Sequence, residues 1–275
     1  MTAFAILRFV STESAGLDWQ PENIVPYLIL GLVVGLMVGL TSIGAGAIAT
    51  PVLILLLGVP PLLAVGSSIV TGAAIKAFGA LKHRQRGAVD YALVKRLLWG
   101  SIPAVGLAVL ALYWLRGRDL NLADLWVDRF LGVALVILGL CVLARDTRWA
   151  RRWQVGEDHP TVGLRGVVIG VIVGVLFGLT SIGTGSLLVV LLSVFFALSE
   201  TRVVGTAIVY GFVISLIGSA LHIYVGTVNW RLVSLLLAGG FPGAVLGAGL
   251  AAHAPRRLLR VCFSLGAIWA GWKLI

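Results

Sequence analysis

The string Gly39-Leu40-Thr41-Ser42-Ile43-Gly44 stands inside a long apolar stretch and returns intact, 139 residues later, as Gly178-Leu179-Thr180-Ser181-Ile182-Gly183. A further glycine closes each copy, Gly46 in the first and Gly185 in the second. A polar, glycine-rich interruption of this kind breaks a helix and leaves N–H and C=O groups that hydrocarbon cannot satisfy. It is tolerated only where protein or a polar path surrounds it. Broken helices at matching places in two halves of a chain point to a transporter's binding site.

The surroundings of the two breaks fix the solvent. Of the 275 residues 59% are hydrophobic and only 12% are charged, about half the charged share of a soluble domain. Several apolar runs reach the roughly 20 residues that cross a bilayer, so the chain reads as a polytopic membrane protein. The net charge of +10 does not signal nucleic acid. It gathers in Lys82, Arg84, Arg86, Lys95 and Arg96, in Arg145, Arg148, Arg151, Arg152 and Arg165, and in Arg256, Arg257 and Arg260. These clusters have the look of cytoplasmic loops, and no nucleic-acid motif accompanies them. Cys141 and Cys262 stand alone in apolar segments and imply neither a disulfide frame nor a metal site.

The 139-residue register continues without a gap. Gly31, Gly35, Gly66, Gly72, Gly79, His83, Gly87, Gly100 and Pro103 align with Gly170, Gly174, Gly205, Gly211, Gly218, His222, Gly226, Gly239 and Pro242. The chain is a tandem duplication. It divides into an N-terminal segment 1–23, membrane repeat 24–145, a cytoplasmic linker 146–162 and membrane repeat 163–275, the two repeats forming one membrane domain. Each repeat predicts a broken-helix hairpin (25–57, then 166–198) followed by three transmembrane helices. These cover 62–82, 91–115 and 126–144, then 202–222, 230–252 and 257–274. The loop at 83–90 carries Arg84 and Arg86, whereas its counterpart at 222–229 has no Lys or Arg. The loop at 116–125 is charge-balanced, and its counterpart holds three arginines. Corresponding loops on opposite sides of the membrane imply an all-α fold of two inverted repeats, with the acidic N-terminal segment outside. Trp114, Trp126, Trp149, Trp230 and Trp272 fall near predicted helix ends, as interfacial rings do.

Helices that restart after the glycines present free N–H groups and positive dipole ends toward the membrane interior. Two such ends make an anion cradle from Gly44, Gly46, Gly183, Gly185 and Ser186, with hydroxyl donors from Thr41, Ser42, Thr180 and Ser181. The next helix repeats a second pattern, Gly72-x3-Lys76-x2-Gly79-x3-His83 against Gly211-x3-Ser215-x2-Gly218-x3-His222, and its spacing keeps these residues on one face. Ser67 and Thr206 add hydroxyls one or two turns earlier. Lys76 is the only charged residue deep in a predicted span, which makes it a functional candidate, though its flexible stem also permits snorkelling. His83, His222 and Tyr210 are candidates for a proton or a pathway. No Asp or Glu falls in the middle of a predicted span, so a carboxylate relay has no obvious residue. No nucleotide-binding or hydrolase motif is present, so neither a cofactor nor an enzymatic activity is expected.

The duplicated chain also carries Gly-x-Gly after an apolar helix, Pro51 downstream, Ala64-Val65-Gly66-Ser67-Ser68 beyond it, and His83-x3-Gly87-x-Val89-Asp90 before a helix with Gly100 and Pro103. In this it resembles the TauE/SafE family of sulfite and organosulfonate exporters over residues 24–273. The resemblance implies a multi-pass protein of the bacterial inner membrane that exports a small sulfur-containing anion. Its partners would be that anion and membrane lipid, with a homodimer as one possible assembly and no nucleic acid. A passive anion channel of the same fold and an importer of a sulfur oxyanion are the alternatives.

Overall fold

A computed structural model describes residues 23–41, 44–85, 87–144, 162–250 and 256–275. The acidic N-terminal segment and most of the central linker, with its arginines and Trp149, lie outside the described residues. The architecture is all-helical. Among the described residues ten helices run in order: α1 (Val25–Thr41), α2 (Gly46–Leu55), α3 (Pro61–Gln85), α4 (Tyr91–Arg116), α5 (Leu120–Ala144), α6 (Val162–Thr180), α7 (Ser186–Phe195), α8 (Glu200–Val225), α9 (Trp230–Leu250) and α10 (Arg256–Leu274). Six of them contain segments long and apolar enough to cross a membrane, in α3, α4, α5, α6, α8 and α9. The chain is an integral membrane protein.

Helices α2 and α7 have 10 residues each. That is about 15 Å of helix, half the hydrocarbon thickness. Both follow directly from a glycine break, so each hairpin is one long arm and one half-length arm.

Local chemistry sets the helix starts. Asp90 caps α4 by accepting the Leu93 amide at 2.9 Å, and the aligned Asn229 caps α9 by accepting from Leu232 at 3.0 Å. Helix α3 begins at Pro61 and takes its cap from a distance, because Asp124 of α5 accepts the Leu62 amide at 3.0 Å. Helix α5 starts at Leu120 instead of near residue 126, because the Asp119 carboxylate accepts the Asn121 and Leu122 amides at 2.8 and 3.4 Å. Asp124 and Asp128 are helix residues, and one Asp128 oxygen is buried with no hydrogen-bond partner among the described residues.

The halves are packed through one another. Helix α1 lies along α9 in parallel, with Gly31, Gly35 and Gly39 against the carbonyls of Leu236, Gly240 and Ala244. The aligned pair, α6 along α4, sets Gly170, Gly174 and Gly178 against Leu97, Ser101 and Val105. Helix α3 crosses its own counterpart α8 in antiparallel, since Gly79 meets Ile208 while Gly218 meets Ile69. Helices α5 and α10 do the same, with Gly132 on Gly271 and Gly139 on the Ser264 carbonyl. Small residues permit this closeness where packing rather than hydrophobicity drives helix association. The α3–α8 crossing is at the centre, and both breaks meet there.

Candidate functional site

Helix α6 stops where its own hydroxyls stop it. The Thr180 side chain donates to the Leu176 carbonyl at 2.5 Å and accepts the Ile182 amide at 3.2 Å, diverting a donor from the helix ladder. Ser181 then turns left-handed at φ 64°, and Gly183 adopts φ 127°, a conformation that excludes a side chain. Helix α7 starts three residues later.

The two new helix starts differ. In the first half, the Ala47 and Ile48 amides are bonded locally to the Gly44 and Ala45 carbonyls, each at 3.2 Å. Their counterparts in the second half, the amides of Ser186 and Leu187, have no backbone acceptor among the described residues, and bonding resumes with Leu188 on the Gly183 carbonyl. The second break therefore offers open donors at the positive end of a helix.

The breaks touch. A methyl group built on Gly44 would lie 3.3 Å from the Gly185 backbone, and Gly46 abuts Ser181. Each tip also rests at the centre of a long helix, Ala45 against Gly72 of α3 and the Thr184 carbonyl against Gly211 of α8.

Lys76 enters this junction from α3. Its ammonium donates to Thr184 Oγ1 at 2.6 Å and to Ser215 Oγ at 3.1 Å. It also stands 5.9 Å from the centre of the Phe177 ring. The residue is only 8% exposed, so it does not snorkel. Its charge is held by two hydroxyls and a ring face, and no carboxylate among the described residues pairs with it. An ammonium has three N–H donors, and these contacts use two.

The structure thus gathers Gly44, Gly46, Ser181, Gly183, Gly185, Ser186 and Lys76 at one place. It adds Thr184 and Ser215, which the candidate set lacked. Both had signals: Thr184 occupies the one position where the duplicated string differs, opposite Ala45, and Ser215 aligns with Lys76.

Other candidates lie elsewhere. Ser67 accepts the Asn229 amide at 3.1 Å, and its counterpart Thr206 accepts the Asp90 amide at 2.9 Å, so both anchor loops of the opposite half. Tyr210 is fully buried against Ser101, with 2.7 Å between the oxygens. His222 bridges Thr227 Oγ1 at 2.8 Å and the Gly178 carbonyl at 3.2 Å. Ser42 and the side chains of Thr41 and His83 lie outside the described residues. Among the described residues no three metal-ligating side chains cluster.

A family model for the sulfite exporter TauE/SafE matches residues 27–274, almost the whole length. The chain belongs to the TauE/SafE family. Similar proteins include one described as "Probable membrane transporter protein YjnA" from Bacillus subtilis strain 168. It is 32% identical over 255 residues, 91% of this chain and 99% of the relative. The "Probable membrane transporter protein YunE" of the same organism is 26% identical, covering 90% of this chain and 96% of its own. A "Probable membrane transporter protein" of Xylella fastidiosa strain Temecula1 is 27% identical, covering 88% and 94%. No solved structure matches the chain. It is a membrane transporter of the TauE/SafE family.

Proposed function

We propose that this transporter exports a small sulfur-containing oxyanion, sulfite or a short sulfonate, through a site at the membrane midplane where the two hairpin tips meet. The observation that carries the reading is the buried Lys76 ammonium, held by two hydroxyls and a ring face, with one of those hydroxyls, Thr184, two residues before the open amides of Ser186 and Leu187. Burying a charge without an opposite charge is costly, and an anionic substrate supplies the missing partner. On this reading the third ammonium donor, the two amides and the Ser186 hydroxyl are the donors offered to the oxyanion oxygens.

The same reading inverts the two halves in the membrane. The antiparallel crossing of α3 with its counterpart α8 supports that orientation. A negative-inside potential favours anion exit by about 2.3 kcal/mol per charge per 100 mV, so export needs no coupling ion. The close approach of Gly44 to Gly185 sets the two tips against each other, which favours a carrier over an open channel.

The test is sulfite and sulfoacetate flux in proteoliposomes. Lys76→Met is expected to lower kcat/KM at least about 30-fold, roughly 2 kcal/mol of lost charge-assisted binding. Wild-type flux should saturate and show counterflow. Flux unchanged in Lys76→Met removes the site, and linear flux without counterflow turns the carrier into a channel.

A further inference from the structure

Helical hydroxyls in this protein follow a habit. Those of Thr71, Ser101, Thr180, Ser193, Ser219 and Ser264 each donate to the carbonyl one turn back. That bond is how a Ser or Thr satisfies itself inside an apolar helix bundle. Thr50 and Ser68 depart from it. Both are fully buried, at 0% and 1% exposure, and neither hydroxyl has a hydrogen-bond partner among the described residues.

Their places in the fold are related. Ser68, Gly72 and Lys76 follow one another at four-residue intervals, so they form a single stripe on α3. The first break sits on the middle of that stripe, where Ala45 meets Gly72. Helix α2 then runs back along α3, bringing Leu53 into the same core cluster as Leu63 and Ala64. One turn on from the Ala45–Gly72 contact, the segment of α2 holding Thr50 therefore comes level with Ser68. The distance from Ser68 to Lys76 along α3 is two turns, about 12 Å.

The other half shows that the fold does not need these hydroxyls. The residues aligned with Thr50 and Ser68 are Val189 and Ala207, both in the apolar core. The first half has placed two bare donors where its twin has methyl groups. Burying an unpaired hydroxyl is unfavourable. Donors without charge suit an anion that must pause and then leave, since passage requires binding that is weak enough to release.

We infer that Thr50 and Ser68 form a second oxyanion station, one turn past the first break. It would receive the same anion on its way to or from Lys76, and the inference rests on the transport reading above. The test reconstitutes the full chain and measures flux of sulfite, thiosulfate, sulfate and sulfoacetate. Thr50→Val and Ser68→Ala copy the residues the second half already uses. The double variant should therefore keep or raise its melting temperature, while KM for the transported anion rises about tenfold. If the double variant transports normally and Lys76→Met does not, the station is overturned and the Lys76 site stands. If the double variant fails and Lys76→Met transports normally, the station stands and the Lys76 site is overturned. Loss of flux that tracks a fall in melting temperature overturns the station as a mere packing effect. A wild-type protein that carries none of the four anions overturns both.

Discussion

At the scale of single residues, polar groups in this apolar bundle fall into those that hold the fold and those that hold charge. His222 belongs to the first kind. The Gly178 carbonyl can only accept, so Nε2 donates to it, while Nδ1 lies 2.8 Å from the Thr227 hydroxyl, which also donates to the His222 backbone carbonyl at 3.2 Å. The ring thereby ties the end of α8 to α6 just before the second break. Both ring nitrogens are engaged in holding the two helices together. His222→Ala should thus cost about 2 kcal/mol, because it takes the imidazole donor from the buried Gly178 carbonyl, while the Thr227 hydroxyl keeps its bond to the residue 222 carbonyl. A fall in melting temperature with an unchanged KM for the transported anion is the expected result. A preserved melting temperature with altered pH dependence of flux would instead place the ring on the transport path. Lys76 is of the second kind. Its hydroxyl partners Thr184 and Ser215 orient the ammonium without neutralising it, which is what the proposed anion site requires.

At the scale of elements, the long hairpin arms are defined by what they lack. Along α1, Gly31, Gly35 and Gly39 face carbonyls of α9, while Gly239, Gly243 and Gly247 of α9 face the carbonyls of Leu28, Leu32 and Leu36. A side chain at any of these positions strikes backbone, which cannot move aside. Gly35→Leu is accordingly expected to abolish monodisperse protein in detergent. Gly106 of α4 is the matched control, since a Cβ there meets nothing within 4 Å. Gly106→Ala should leave the elution profile unchanged and add up to about 1 kcal/mol through helix propensity. Equal behaviour of the two variants would remove close approach as the basis of the pairing. These elements were legible in the chain to different degrees. The breaks were plain, because glycines and hydroxyls interrupt an apolar run twice in one register. The start of α5 was less so, since Asp119, which caps it, reads as one more charge in a balanced loop, and the Leu62 amide that engages Asp124 lies 62 positions away. Ser67 and Thr206 read in the sequence as hydroxyls in apolar helices, yet their partners are loop amides of the opposite half. The Lys76–Thr184 contact joins residues 108 apart, a distance that no periodicity reports.

At the scale of the whole molecule, duplication places the same element in two environments, and the contacts tell the copies apart by depth. Ser67, near the start of α3, holds Asn229, while Thr206, near the start of α8, holds Asp90. Because α3 and α8 cross in antiparallel, the turns before α4 and α9 lie at opposite ends of that pair. In the sequence Lys82, Arg84 and Arg86 lead into α4, whereas no Lys or Arg falls between His222 and Trp230. The positive-inside rule then puts Tyr91 at the cytoplasmic face and its counterpart Trp230 at the outer face. Both are exposed first residues of their helices, at 54% and 60%, so replacing either leaves the core untouched. In a background with Cys141 and Cys262 changed to Ser, the thiol introduced by Trp230→Cys should react with an impermeant maleimide added to intact cells. The thiol introduced by Tyr91→Cys should react only after the membrane is opened. Labelling of both from the same side would mean that the halves are parallel. The second break would then restart its helix toward the wrong face, and the midplane site proposed at Lys76 would fail with it.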